Sequence, residues 1–134
     1  MTQSPKETIT AEKAPKPIGP YSAGIRLGTL IFTAGQLGID QGTGDLVPGG
    51  IENETRQALR NVQYILEAAG SGLDQVVKTT VFMRDLGEFA RMNAVYAEFF
   101  THKPPARSTV QVAALPKGGA VEIEAIAGIA SRGE

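Results

Sequence analysis

With 134 residues, 42% of them hydrophobic, and 13 Lys+Arg against 14 Asp+Glu, the chain has the size and apolar content of one domain and almost no net charge. Near-neutrality without a Lys/Arg stripe argues against an electrostatic nucleic-acid binder, and no run of about 18 apolar residues is present to cross a membrane. The absence of cysteine and the single histidine, His102, exclude a disulfide framework, a zinc cluster and a Cys-His nucleophile.

A Ser-His-Asp triad would have to use His102 at a helix end beside Lys103-Pro104-Pro105, a poor place for the triad's geometry. Met1-Thr2-Gln3-Ser4-Pro5-Lys6 lacks the apolar core of a signal peptide, and a cysteine-free chain suits a reducing compartment. A cytoplasmic location is therefore expected.

In chain order, residues 1–16 are polar and read as a partly loose segment, with Thr8-Ile9-Thr10 as a short edge strand. Pro17-Ile18-Gly19-Pro20-Tyr21 is a turn or extended stretch, because two prolines exclude a helix. Gly24–Leu27 and Leu30–Ala34 form a hairpin across Gly28-Thr29, and Gly42 to Gly50 is a glycine-rich flexible turn. Without a following Lys-Ser/Thr it is not a phosphate loop.

Glu52 to Ala69 is the clearest helix. Ala58, Leu59, Val62, Ile65, Leu66 and Ala69 share one face, Glu52 and Glu54 complement the dipole, and Gly70 is the stop. Asp74 to Arg84 is a strand with Val77, Thr79, Val81 and Met83 on one face. Asp85 caps a second helix, about Glu88 to Thr101, which Pro104-Pro105 ends. Met83 and Met92 are core residues. Two strands close the chain, about Ala106 to Ala114 and Ala120 to Ile129.

The order ββ-α-β-α-ββ predicts an α+β fold with two helices packed on one face of a mixed, mostly antiparallel sheet. In the last two strands Val110, Val112, Val121 and Ile123 are expected on one face, and Thr109, Gln111, Ala113, Ile126 and Gly128 on the other. A half-apolar second face in so small a domain suggests an oligomer.

Pro105-Ala106-Arg107-Ser108-Thr109 and Val121-Glu122-Ile123-Glu124 place a guanidinium and two carboxylates inside strand-like runs. A charge there is costly unless it is paired or working on a ligand. Arg107 either bridges to a carboxylate of the protein or offers its planar fork to a small organic acid. Glu122 and Glu124 share one strand face; Glu122 is the candidate acid/base group, and Glu124 the solvated or salt-bridged one. Tyr21 is either a packing tyrosine or a cleft wall. Asn93 interrupts the stripe Phe89, Tyr96, Phe100, so its amide must find partners in a loop or in a neighbour's cleft.

If the last two strands were a hairpin about Lys117-Gly118, Arg107 and Glu122 would stand on the order of 20 Å apart. Either these strands are not direct partners, or the site joins different subunits.

Gly19-Pro20-Tyr21-Ser22, Phe32-Thr33-Ala34-Gly35-Gln36, Asn93, Pro105-Ala106-Arg107-Ser108 and Val121-Glu122-Ile123-Glu124-Ala125-Ile126-Ala127 together resemble the Rid (reactive intermediate deaminase) family, from about Pro17 to Ile129. Single motifs are weak, but the whole set in order and near-family spacing is specific. The resemblance implies a chorismate-mutase-like fold over residues 1–134, a homotrimer, and ligand sites in clefts between subunits. It implies hydrolysis of enamines and imines such as 2-aminoacrylate to 2-keto acids and ammonia, with no cofactor or metal.

Carried over residue by residue, Arg107 matches the arginine that holds the substrate carboxylate, Glu122 the glutamate that orients water or moves protons, and Tyr21 a cleft tyrosine. Asn93, Gly35 and the backbone at Thr109 match secondary positions. Ala34 stands where many members have serine, Thr109 where many have cysteine, and the connection from Asn93 to Arg107 is shorter than in the archetypal members. Two other readings stay open: a carboxylate-binding module without turnover, and a ribonuclease or translation inhibitor, which the near-zero charge and lone histidine disfavour.

Overall fold

The computed structural model describes residues 5–129. All its strands join one sheet. They are β1 (Glu7–Ile9), β2 (Gly24–Leu27), β3 (Leu30–Thr33), β4 (Gln36–Leu37), β5 (Val76–Met83), β6 (Ala106–Gln111) and β7 (Val121–Gly128). The order is β1-β2-β3-β7-β5-β6, with β4 pairing β7 off that path. Only β5 and β6 run parallel. The helices α1 (Ile51–Ala68) and α2 (Phe89–Phe99) cover one face, giving the expected α+β arrangement of two helices on a mixed, mostly antiparallel sheet.

The hairpin forms where Gly28 adopts a positive φ of 64°. In α1 the apolar stripe Ala58, Leu59, Val62, Ile65 and Leu66 is fully buried. Its end is a Schellman motif: Gly70 N–H donates to Glu67 O at 3.0 Å and Ser71 N–H to Leu66 O at 2.8 Å, with Gly70 at φ 84°. Met83 and Met92 are core, as expected.

Several expectations need correction. The expected edge strand forms as β1, but Ala14, in the stretch expected to be loose, is buried; residues 1–4 lie outside the described residues. The Gly42–Gly50 segment is a hydrogen-bonded turn in which Asp40 Oδ1 accepts from Gly42 N–H at 2.7 Å and Thr43 N–H at 3.2 Å. Glu54 does more than complement a dipole: it is buried and accepts the Ala120 N–H at 2.8 Å. Asp85 caps the 3₁₀ turn Leu86–Glu88 that leads into α2, rather than α2 itself. Val77 leaves the core face because the β5–β7 register shifts between Val76 and Lys78, so Val76 is buried in its place.

The largest correction concerns the faces of the last two strands. As one of the two alternatives had it, they are not partners, because β5 lies between them. Parallel pairing with β5 sets Arg107 beside Thr79, which is buried under the helices. Arg107 and Thr109 therefore share the helix side of the sheet, while Val110 is exposed on the open side with Ile126. The expected grouping of Val110 with Val121 and Ile123 is inverted, since the latter two are fully buried.

Candidate active site

The predicted site residues fall into two groups on opposite faces of the sheet. The row Arg107–Thr79–Ala125 crosses β6, β5 and β7 on the helix side; the row Val110–Phe82–Glu122 crosses the same strands three residues further along β5. An odd offset reverses the side-chain direction, so Glu122 projects from the open face. Two strand spacings and three residue rises put the two α-carbons roughly 14 Å apart.

Glu122 belongs to a cavity of about 470 Å³ whose lining includes Tyr21, Gly35, Gln36, Leu37 and Lys117. Tyr21 is half exposed and forms a wall, with its hydroxyl accepting the Ile18 N–H at 3.4 Å; the alternative of an interior packing tyrosine is thereby set aside. Gly35 has a steric reason to be glycine, because a β-carbon there would lie 2.8 Å from Glu122 Cδ and 2.9 Å from Oε2. Burial raises the Glu122 pKa above the ordinary carboxyl value, and the like charge of Glu124 adds to the rise. A carboxyl with its proton affinity moved toward neutrality suits proton transfer. Glu124 stands opposite Thr80 on the open face and has no salt bridge among the described residues.

Ala34 does not line the cavity. Its N–H donates to Ala23 O at 2.8 Å, and its carbonyl accepts from the Gln36 side chain at 3.4 Å. Gln36, Lys16 and Lys117 belong to the cavity wall and escaped sequence reasoning. The signal for Gln36 was its place beside Gly35; the two lysines come from distant segments that only the fold brings together.

The second group lies at the edge strand β6. The Arg107 guanidinium carbon is 4.6 Å from the Tyr96 ring centroid and 5.5 Å from that of Phe89. Arg56 and Arg91 both hold carboxylates, at 3.3 Å and 2.8 Å, whereas Arg107 forms no ion pair with any described residue. This removes the reading of Arg107 as a structural salt bridge. Asn93 shares the helix face of Phe89 and Tyr96 by spacing. Asn93 Oδ1 and Thr109 Oγ1 are both buried without a hydrogen-bond partner among the described residues. A cation without an ion pair among the described residues and two orphaned polar atoms form a surface suited to a small polar anion. Among the described residues, no cluster of His, Asp or Glu could hold a metal ion, and no helix is long and apolar enough to cross a membrane.

A family model described as Endoribonuclease L-PSP matches residues 11–129. A RutC family protein of Pyrococcus horikoshii is 54% identical over 122 residues, covering 91% of this chain and 97% of that protein. The 2-iminobutanoate/2-iminopropanoate deaminase of Bos taurus is 49% identical over 127 residues, covering 95% of this chain and 93% of that protein. The crystal structure of the YjgF gene product of E. coli superimposes with a TM-score of 0.88 at 48% identity, covering 91% of this chain and 98% of that one.

Proposed function

The chain belongs to the Endoribonuclease L-PSP family, that of the YjgF and Rid proteins, and on that premise we propose that it hydrolyses reactive 2-imino acids and their enamine tautomers to 2-keto acids and ammonia. The observation that carries this reading is Arg107: a guanidinium laid on two aromatic rings, free of any carboxylate of the described residues, at an edge strand.

The reaction needs both groups of residues, which one protomer holds on opposite faces. A homotrimer resolves this. In a head-to-tail ring the β6 edge of one copy faces the Glu122 cavity of the next, and the three identical interfaces close. The exposed Phe32 and Val110 on the open sheet face are suited to burial in such an assembly.

In the cleft, Arg107 grips the substrate carboxylate with two parallel charge-assisted hydrogen bonds. Backbone groups near Gly35 and Thr109 hold the other end, Asn93 offers its free carbonyl oxygen, and Tyr21 closes the wall. Water oriented by Glu122 attacks the imine carbon. A C–O bond forms as Glu122 moves one proton of the water to the imine nitrogen; the carbinolamine hydroxyl then gives up its proton, which Glu122 passes to the amine, and the C–N bond breaks as the C=O bond forms, leaving the keto acid and ammonia. A positioned proton shuttle of this kind contributes about 10² to 10⁴ in rate. The mechanism asks nothing of a metal or cofactor. A cytoplasmic location, which the cysteine-free composition suits, completes the reading. The ribonuclease reading gains no support from the site, since His102 is exposed and does not line the cavity.

The test couples a serine or threonine dehydratase to this protein and follows the lifetime of the 2-imino acid it releases. The wild-type chain should shorten that lifetime, and Arg107→Ala should abolish the effect while the oligomer persists. Full activity in an intact Arg107→Ala assembly would refute the assignment. Binding of the keto acid without any acceleration would instead identify a carboxylate-binding module.

A further inference from the structure

An arginine that must grip a small acid faces a conflict. An acidic neighbour would hold it still but would occupy the N–H groups that the ligand needs, while an unsupported guanidinium at a strand edge is free to swing. An aromatic ring supports the face of the guanidinium and leaves its donor edge open. Two rings lie against the Arg107 guanidinium here, and that of Tyr96 is itself braced. Tyr96 is 6% exposed, its hydroxyl is 2.7 Å from Thr79 Oγ1, and Thr79, 1% exposed, is the β5 register partner of Arg107. The ring of Phe100, also buried, is 4.7 Å from that of Tyr96. Backbone pairing, hydroxyl contact and ring contact thus close a loop from β6 through β5 and α2 back to the Arg107 side chain.

We propose that Tyr96 is the positioning residue of Arg107, with Thr79 fixing its hydroxyl and Phe89 adding a second, more distant ring. The proposal rests on the reading of Arg107 as the carboxylate anchor. Tyr96 touches no reacting atom. Its role is to hold the fork in the binding orientation before the ligand arrives, so its loss weakens binding and leaves the chemical step alone.

Three variants separate this role from a merely structural one. Tyr96→Leu removes the ring and should raise KM for the 2-imino acid, and the calorimetric Kd for 2-oxobutanoate, about tenfold with kcat within about twofold. Tyr96→Phe keeps the ring and should stay within about threefold of wild type in both. Phe89→Leu alters a ring already 37% exposed, so folding is not at stake, and should raise both constants about threefold. The Arg107 Nε–H resonance should carry a ring-current shift in wild type and Tyr96→Phe. In Tyr96→Leu the shift should collapse. Unchanged KM and Kd in both ring-removing variants, or a fall in kcat alone, would overturn the proposal. If the wild-type chain turned over no imino acid, the functional reading would fall, while the ring-shifted resonance would still decide whether Tyr96 positions the guanidinium.

Discussion

Gly35 and Glu122 are coupled by a distance. With a β-carbon at position 35 only 2.8 Å from Glu122 Cδ, an alanine there must push the carboxylate along the cavity wall. Gly35→Ala should lower kcat at least tenfold, since a misplaced proton-transfer group loses most of its effect, while thermal stability changes little because the side chain can rotate away. Steady-state kinetics beside a thermal melt checks both halves. The raised pKa of Glu122 also has a stability consequence. The folded protein keeps a proton that the unfolded chain has already released, so the stabilisation is full below the ordinary value of 4.5 and is lost as pH rises through the folded value. Glu122→Gln, which mimics the protonated form, should match wild type at about pH 4 and melt higher than wild type at about pH 8. Melts across that range decide it, and a variant that melts lower than wild type at the alkaline end would contradict the burial argument. That Arg107 and Glu122 need an explanation was legible in the sequence, because each is a charge inside a strand-like run. That Arg107 lies on rings was not legible, since Phe89 and Tyr96 read only as an apolar stripe.

Among the elements, β4 is the least self-sufficient. Two residues cannot hold a strand, and this one is fastened by Asn61, fully buried on α1. The Asn61 side-chain amide donates to Leu37 O at 3.1 Å and Ile39 O at 3.0 Å, and its oxygen accepts from Gln57 at 2.9 Å. Leu37 and Ile39 line the cavity, so Asn61 also fixes its wall. Asn61→Ala strands two carbonyls and should cost about 2–3 kcal/mol in a denaturant titration. Keto-acid binding should weaken in step. The hairpin at Gly28, helix α1 and its glycine stop were legible because each carries a local signal of period or turn chemistry. The separation of β6 from β7 was not. The spacing left open whether these two strands pair directly, and the parallel insertion of β5, reached through α2, shows that they do not. The same non-local pairing sets which face Arg107 takes, so strand phase was beyond the reach of spacing alone.

For the whole molecule, the chain carries two separate groups of candidate site residues, which the proposed function treats as half-sites. Arg107, Asn93 and Thr109 gather on the helix side at a sheet edge, while Glu122, Tyr21 and Gly35 gather at the cavity across the sheet. The α+β architecture was readable from element order, and the half-apolar second face of the sheet is the sequence feature behind the proposed assembly. Which copy supplies which group became arguable only once strand parity put the two charges on opposite faces. The most direct measurement co-expresses Arg107→Ala with Glu122→Gln, each inactive alone, and assays imine hydrolysis of the mixed assembly. If neighbouring copies share each site, about a quarter of the clefts in a random mixture combine an intact Arg107 with an intact Glu122, and about that fraction of wild-type activity should return. A mixture that assembles normally and stays inactive would contradict the shared site.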